Sequence, residues 1–501
     1  MTQKQNSNVP AIIVCILLFG MISFVTNLAS PMGDILKNQF NVANWMGTLG
    51  VLCNFIAYAI MGIPAGNLLQ KKGYKFTALT AVAVGFAGVG IQTLAGTLGG
   101  NLAFGVYLLG AFVAGFSMCM LNIVVNPMLN KLGGGGNRGN QLVQVGGSFN
   151  SLMGTAVIFL TGVFVPNIVK AQISDVFPLM GIALAIFAVA FVVILLTKIP
   201  ENPVVEAKAA EKSQYGPMSF RHFVLGAIGI FIYVGVEVGI PNVLQKWLNN
   251  DLAQIEEISV PKDSKIVVVK SDEVEQGALL ATVTTQITTP ATEEGAEPII
   301  TTKVDSILSP KKAVITEVCP KNGVIKEDSG FAGPIASSVT AVYWLLMLVG
   351  RLLGAAIGAK VSAKSMLTFA SGLGLVLVLG AMFLNPTPVD LPVFKGATGF
   401  GMASVPVNAA LLVLCGLCTS VMWGGIFNLA VEGLGKYTEK ASGIFMALVC
   451  GGGILPFIQN AVVDWTGSYV ASYWVIVAGL AFLLYYALVG CKNVNKDIPT
   501  E

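Results

Sequence analysis

Charged residues are scarce in this chain. Only 11% of its 501 residues are Asp, Glu, Lys or Arg, whereas 54% are hydrophobic, and the mean hydropathy is +0.76. A soluble domain carries roughly 25% charged residues, so the composition excludes an ordinary soluble protein. A single soluble core cannot bury this much apolar sequence, but a lipid bilayer can accommodate it.

Histidine is almost absent as well. Because His222 is the single histidine, a histidine metal site or a histidine-dependent catalytic triad is excluded, and we expect neither an enzyme nor a bound metal or cofactor. Cys415 and Cys418 have C-x-x-C spacing within an apolar segment, where zinc lacks further ligands and a redox thiol lacks access. The glycine run 133–136 is not followed by the Lys-Ser or Lys-Thr of a nucleotide-binding loop.

Long apolar runs, by contrast, recur along the whole chain. Twelve of them approach the roughly 20 residues that are needed to cross hydrocarbon. The first has neither the basic start nor the small-residue cleavage site of a secretory signal, so it is interpreted as a membrane span. The predicted spans are 11–29, 45–70, 77–97, 103–129, 142–166, 177–197, 222–248, 334–359, 365–384, 407–431, 441–463 and 470–490.

Lysine and arginine are distributed unequally between the loops. With the N-terminus inside, the short outer loops carry only Lys37, Lys170 and Lys395, and the inner loops carry most of the others. By the positive-inside rule, this asymmetry predicts that both termini are cytoplasmic. The expected location is the plasma (inner) membrane, as a multi-pass protein.

Two polar segments divide the predicted spans. The linker 198–221 separates an N-terminal six-helix half, 1–197, from a C-terminal half formed by 222–248 and 333–501. The insert 249–332 interrupts the second half and is predicted to lie outside the membrane. Its Val, Ile and Thr runs alternate with Gly, Pro and charged turns, which is typical of β-structure. The predicted fold class is therefore an all-α membrane protein with a small β-rich extracytoplasmic insert.

The six-plus-six plan resembles the major facilitator superfamily, whose two six-helix halves enclose a substrate site near the membrane midplane. The motifs "IPAGNLLQKKGYK", "NPMLNKLG", "FNSLMGT", "YVGVEVG", "YWLLMLVGRLLGA", "GLGKYTEKAS" and "GGGILPFIQNAVVD" are together similar to the fucose–galactose–glucose:H⁺ symporter family. They occur in the expected order and skip only the insert. The resemblance implies uptake of a sugar driven by a proton gradient, with the sugar, H⁺ and the lipid bilayer as partners and no nucleic acid.

Two acidic residues are candidate proton carriers. Glu237 lies within the apolar run "YVGVEVGIP", and Asp34 follows the first predicted span in "GDIL", which resembles the family's "NDIL". A charge at the bilayer centre costs about 3 kcal/mol, and surroundings of low dielectric constant favour the protonated form of a carboxyl group. The alternative interpretations are an interhelical hydrogen bond for Glu237 and a solvated helix end for Asp34.

The sequence departs from the family pattern at two positions. Asn122 in "LNIVVNP" stands where the family carries Glu in "LETAANP", and Gly147 stands where it carries Gln. An asparagine can hydrogen-bond a hydroxyl but carries no proton at ordinary pH. Facilitated transport and Na⁺-linked transport therefore stay open as alternatives to proton symport.

A sugar site needs amides or carboxylates for the hydroxyl groups and an aromatic plate for the ring. The candidate substrate-binding residues are Asn122, Asn126, Asn150, Tyr343, Trp344, Trp423, Asn428, Gln459 and Asn460. For each amide the alternative is a hydrogen bond between helices. Basic turns follow small-residue helix ends at equivalent places in the two halves, and Gly66, Lys71, Lys72 and Arg351 are predicted to be structural or gating residues there.

The insert has a resemblance of its own. "VVVKSDEVEQGALLATV" and "ILSPKKAVITEVCPKNGVIKEDSG" resemble the two halves of a lipoyl-like, barrel-sandwich hybrid domain. We expect 249–332 to dock an extracytoplasmic partner or to mediate self-association. For the whole chain, the alternatives to a sugar importer are a transporter of another small solute, such as a drug or an amino-sugar derivative, and a transport-inactive receptor.

Overall fold

The structure is a computed structural model in which most of the chain is helical. It describes residues 9–133, 136–165, 171–199, 216–252, 255–261, 264–269, 272–289, 299–311, 313–320, 323–328, 332–357, 361–394, 399–495 and 497–498. Residues 200–215, which form most of the predicted linker, lie outside the described residues.

Eleven helical segments of the described chain are long and apolar enough to cross a membrane. The longest, Leu49–Ala95, has 47 residues and leaves helical geometry at Gly73, with φ 81° and ψ 178°. A residue with a Cβ is strained in this conformation, so glycine permits the chain to turn there. Leu49–Ala95 therefore contains two spans, and each of the twelve predicted spans is matched by a helix.

We number the spans α1–α12 in chain order. They are α1 (Val9–Phe40), α2 and α3 (49–72 and 74–95), α4 (Gly100–Leu132), α5 (Gly136–Phe164), α6 (Phe177–Leu196), α7 (Arg221–Asp251), α8 (Ala332–Ile357), α9 (Ala363–Phe383), α10 (Val407–Thr419 with Met422–Val431), α11 (Thr438–Leu448 with Gly451–Thr466) and α12 (Tyr469–Ser472, Trp474–Tyr485 and the π-helical turn Tyr486–Gly490).

The first span is longer than predicted. The predicted span ended at residue 29, yet α1 continues to Phe40 and contains Pro31. A proline inside a helix removes one backbone hydrogen bond, and neighbouring helices make this tolerable because Pro31 is buried. Asp34 consequently lies inside the helix, with 6% of its surface exposed, and its placement beyond the span is corrected.

The first six and last six spans meet along two seams. In the α2–α11 seam, a Cβ added to Gly62 would lie 2.8 Å from the backbone N of Ala447. In the α5–α8 seam, a Cβ added to Gly162 would lie 2.9 Å from Cβ of Ser337. Small residues let helix backbones approach closely where no water drives association, so these glycines bring the two groups of helices into direct contact.

Short strands lie between α7 and α8. They form two antiparallel sheets, ordered β1-β7-β6-β3 and β2-β4-β5. Their bounds are β1 (Ile255–Ser259), β2 (Lys265–Ile266), β3 (Glu273–Val274), β4 (Leu279–Thr289), β5 (Ile299–Leu308), β6 (Ala313–Cys319) and β7 (Val324–Asp328). The side of the bundle on which α7 ends and α8 begins is called the insert end below.

A hairpin that was not anticipated joins α9 to α10. Strands β8 (Pro388–Phe394) and β9 (Phe400–Pro406) pair antiparallel. Phe159 of α5 stacks on Phe400 with ring centroids 6.1 Å apart, and its ring lies 5.3 Å from that of Phe394. The hairpin, which belongs to the second group of helices, therefore packs on the first group.

Candidate functional site

Glu237 and Arg351 form an ion pair between α7 and α8. Arg351 Nη2 donates to Glu237 Oε1 over 3.3 Å, and the side chains are only 11% (Arg351) and 13% (Glu237) exposed. A buried charge without a partner is strongly destabilising, so each side chain makes the burial of the other tolerable. The sequence singled out both residues but gave them separate roles, and the structure brings them together.

The same guanidinium reaches across the α5–α8 seam. Arg351 Nη1 donates to the backbone carbonyl of Gly147 in α5. A Cβ added to Gly147 would lie 3.4 Å from both Cδ and Nη1 of Arg351, so a longer side chain would compete with the guanidinium for this space. The absence of the family's Gln at this position therefore makes room for the contact between the two groups of helices.

Tyrosines surround the ion pair. The Tyr343 hydroxyl donates to the backbone carbonyl of Glu237 over 3.1 Å and is hydrogen-bonded to Thr419 Oγ1 over 3.0 Å. Tyr233 is fully buried and interacts electrostatically with both charges, and its ring lies 6.1 Å from that of Trp423. These contacts place the predicted residues Tyr343 and Trp423 around Glu237.

A second polar and aromatic group lies where α1, α5 and α8 converge. A Cβ added to Gly154 would lie 3.0 Å from Ser23 Oγ, 3.1 Å from Asn27 Nδ2 and 3.3 Å from Trp344 Cε3. Asn27 Nδ2 donates to the backbone carbonyl and Oγ of Ser23 over 3.0 and 2.9 Å. An amide and a hydroxyl beside an indole are the combination that a sugar ring requires. Ser23 and Asn27 were not predicted from the sequence, although their i, i+4 spacing in an apolar helix was an available signal.

Gln459 and Asn460 are neighbours with different surroundings. Gln459 is fully buried, and neither its amide nitrogen nor its oxygen has a hydrogen-bond partner among the described residues. Asn460 accepts from Lys246 over 2.8 Å and donates to Asn242 over 3.1 Å. A buried amide left unpaired costs about 1–3 kcal/mol, so Gln459 is the better placed of the two to receive a hydroxyl group from a ligand.

Three predicted amides of the first six helices are hydrogen-bonded within that group of helices. Asn122 Nδ2 donates to the Tyr58 hydroxyl over 3.0 Å, and Asn126 Nδ2 donates to the Asn122 carbonyl over 3.0 Å. Asn150 Nδ2 donates to the Phe19 carbonyl of α1 over 3.0 Å. In this conformation Asn122 and Asn150 hold helices together, which is the alternative that the sequence left open, whereas Asn126 bonds within α4.

Other predicted residues lie away from these groups. Asn428, Lys71 and Lys72 are exposed, and a Cβ added to Gly66 would meet no atom within 4 Å. Lys72 lies over the Phe76 ring, with Nζ 5.8 Å from its centroid. The structure does not bring these four residues into contact with Glu237 or Arg351.

A third polar group occupies the insert end. Asn249 Nδ2 of α7 donates to Asp34 Oδ2 over 2.7 Å. Asp464 of α11 accepts from the Asn44 side chain over 2.7 Å and from the Trp45 backbone N–H over 2.8 Å. Since Glu237 and Asn249 are twelve residues apart in one helix, Asp34 lies about 18 Å along the axis from Glu237. The two predicted proton carriers therefore belong to separate sites.

Lys246 lies within this third group and corrects the sequence analysis. No role was predicted for Lys246, although it lies in the predicted span 222–248; it belongs to α7, with 3% of its surface exposed. Its ammonium donates to Thr48 Oγ1 over 2.9 Å, to Asn460 Oδ1 over 2.8 Å and to the Asn44 carbonyl over 3.4 Å. The lysine was overlooked because it lies five residues before the end of α7, where a side chain is readily assumed to reach water.

No group of three or more His, Cys, Asp or Glu side chains suited to a metal ion is found in the described part of the chain. The chemistry that these sites offer is hydrogen bonding to a polar solute, aromatic stacking and proton exchange at two buried carboxyl groups. That set suits the passage of a solute between two groups of helices.

The chain is similar to known sugar transporters. No family model matches the chain. Over 500 residues it is 25% identical to a glucose/galactose transporter of Brucella abortus (strain 9-941), which covers 98% of this chain and 97% of the relative. Over 266 residues it is 24% identical to the L-fucose-proton symporter of Escherichia coli (strain K12), which covers 47% of this chain and 58% of the relative.

Solved structures identify the fold. The chain matches the major facilitator superfamily transporter FucP in the outward conformation, with a TM-score of 0.61 and 17% identity, over 97% of this chain and 100% of FucP. The chain has the major facilitator fold. The prediction of this fold for a multi-pass membrane protein is confirmed, whereas the lipoyl-like topology of 249–332 stays a prediction.

Proposed function

We propose that the chain is a secondary active transporter that imports a hexose or a hexose derivative by proton symport with alternating access. The observation that carries the proposal is the buried Glu237–Arg351 pair beside the α5–α8 seam. A buried carboxyl group at such a seam can link its protonation to the movement of the two helix groups. The names of the relatives, a glucose/galactose transporter and an L-fucose-proton symporter, support a sugar and a proton as the transported species.

We assign the sugar to the region between the two seams. Trp344 supplies an aromatic plate, Ser23 and Asn27 adjoin it, and the unpaired Gln459 amide offers a donor and an acceptor for hydroxyl groups. A site built to hydrogen-bond hydroxyl groups discriminates strongly against solutes that lack them, because its buried polar groups are then left unpaired. The buried polar groups of this region therefore favour a sugar over an apolar drug.

Glu237 and Asp34 are the proposed proton carriers. Protonation of Glu237 removes the negative charge that holds the Arg351 guanidinium, which leaves Arg351 with its contact to the Gly147 carbonyl. The strength of the contact across the α5–α8 seam then depends on the proton, and this dependence is what coupling requires. Asp34 is linked to α7 through Asn249, so its protonation acts on the other end of the same helix.

The orientation and the organisation of the chain are part of the proposal. Both termini are proposed to lie in the cytoplasm and the insert end outside an inner membrane, which the distribution of loop charges favours. Residues 1–197 and 222–248 with 333–501 act as the two moving halves, joined by the linker 198–221. The segment 249–332 is proposed to adopt the lipoyl-like topology and to bind an extracytoplasmic partner or a second copy of the chain.

Proteoliposomes that contain the purified protein test this function. Added glucose or galactose should drive proton uptake, and Glu237→Gln and Asp34→Asn should each abolish sugar-driven proton uptake. Asp390→Asn is the matched control, since Asp390 is exposed on β8, and it should leave uptake unchanged. Absence of transport for every hexose and amino sugar tried would contradict the function, and coupled transport that survives both substitutions would contradict the assignment of the carriers.

A further inference from the structure

Lys246 is a buried cation that the scheme above leaves without a role. An ammonium group has three N–H donors, and Lys246 directs them to Thr48, Asn460 and Asn44. All three acceptor atoms are neutral oxygens. These bonds satisfy the donors of Lys246 but do not neutralise its charge.

The compensating charge comes from acids that lie further away. Lys246 interacts electrostatically with Asp34 and Asp464, and Asp464 is exposed whereas Asp34 is only 6% exposed. Lys37 repels the Lys246 ammonium less strongly than Asp34 attracts it but more strongly than Asp464 does, and the Tyr469 phenol interacts with both acids. Because water screens the exposed group, the Asp34 carboxylate is the main buried counter-charge of Lys246.

These partners come from both groups of helices. Asp34 belongs to α1, and Asn44 and Thr48 belong to the short helical connection between α1 and α2, whereas Lys246 belongs to α7 and Asn460 to α11. A movement that separates the two groups at the insert end must break the bonds from Lys246 to Asn44 and Thr48. The same movement takes Lys246 away from Asp34.

We propose that Lys246 is a positioning residue that couples closure of the insert end to the ionisation of Asp34. This inference rests on the alternating access proposed above. With Asp34 ionised, the closed insert end buries two opposite charges together. With Asp34 protonated, closure buries the Lys246 charge without its counter-charge, which is unfavourable. Proton binding at Asp34 therefore favours opening, and opening exposes the carboxyl group to the proton source outside.

Removal of the lysine charge should reverse this dependence. In Lys246→Gln, closure with an ionised Asp34 buries a negative charge alone, so protonation now favours closing. Coupling between two sites typically changes an equilibrium by about 5- to 150-fold. If Lys246 were merely structural, Lys246→Gln would change the fraction of closed protein. It would not reverse the direction in which that fraction changes with pH.

Distances between spin labels at Ala43→Cys and Trp465→Cys report the state of the insert end, since both positions are exposed on opposite helix groups. The measurement uses the full chain in lipid nanodiscs without sugar, at pH 5.5 and 8, with the partly exposed Cys53 and Cys319 replaced by Ser. The labelled protein with native Lys246 and Asp34 should populate the long distance more at pH 5.5 than at pH 8. Lys246→Gln should show more of it at pH 8, and Lys246→Arg should restore the original direction.

Two further variants guard against misfolding of Lys246→Gln. Asp34→Asn should favour the long distance at both pH values, because Lys246 then lacks its counter-charge. Lys246→Gln with Asp34→Asn should remove the response to pH. The inference would be overturned if the distance in Lys246→Gln changed with pH in the same direction as in the protein with native Lys246 and Asp34. A predominantly short distance in Asp34→Asn would also overturn it. Because no sugar is present, these outcomes are independent of the transport assay that tests the proposed function.

Discussion

Replacement of Arg351 by glutamine tests the central ion pair. In Arg351→Gln the Glu237 carboxyl group, 13% exposed, loses the cation beside it. Breaking a buried pair costs about 3–5 kcal/mol if the remaining charge persists. A carboxyl group can avoid this cost by taking up a proton, and the free energy needed to protonate it rises by about 1.4 kcal/mol per pH unit. The variant should therefore be close to the unsubstituted protein at pH 5 and increasingly less stable towards pH 8, up to a loss of about 4 kcal/mol.

The reverse substitution gives a different pattern. Glu237→Gln leaves Arg351 charged at every accessible pH, because guanidinium cannot be deprotonated in proteins. Its loss of stability should be nearly the same at pH 5 and pH 8. The double variant should lose less free energy of unfolding than the two single variants lose together. The difference should be about 0.5–3 kcal/mol, which is typical of groups in contact.

The assay is the melting temperature of purified protein in one detergent, measured at pH 5, 6.5 and 8, with Asp390→Asn as the control for general pH effects. The decrease in melting temperature caused by Arg351→Gln should grow with pH, whereas the decrease caused by Glu237→Gln should stay constant. A deficit of Arg351→Gln that is equal at all three pH values, or largest at pH 5, would refute it.

Three further predictions concern other parts of the chain. Gln459→Leu should raise the melting temperature, because it removes an unpaired buried amide that costs about 1–3 kcal/mol. It should also weaken hexose binding in a titration at least tenfold. A melting temperature that does not rise, together with unchanged hexose binding, would contradict the assignment. Gly154→Val should abolish hexose binding while Gly66→Val, with open space around it, should not. The hydrogen bond from the Cys319 thiol to the Glu317 carboxylate, 3.0 Å long, raises the pKa of Cys319. Glu317→Gln should therefore increase the thiolate fraction and speed maleimide labelling at pH 7.5; slower labelling would disprove this.

The spans were predictable because each is a long apolar run between polar turns. The exceptions have local causes. Pro31 is tolerated inside α1 because neighbouring helices cover it, a condition that the local sequence does not express. The β8–β9 hairpin was missed because its strands are short and contain prolines, which weaken a strand pattern.

The site was predicted as a set of residues but not as an arrangement. Glu237 and Arg351 stood out as charges in apolar helices, but α7 and α8 are separated by the insert, so their pairing depends on tertiary packing. The role of Gly147 appears only when Arg351 is seen to occupy the space beside it. Lys246 looked like a helix-end residue and is instead enclosed by the α1–α2 connection and α11.

Sugar-driven proton uptake in proteoliposomes tests the central claim most directly. The account predicts that adding a transported hexose acidifies the lumen of vesicles that contain the unsubstituted protein or Asp390→Asn, and that Glu237→Gln gives no acidification while retaining hexose binding. Acidification by Glu237→Gln at the rate of the unsubstituted protein would contradict it.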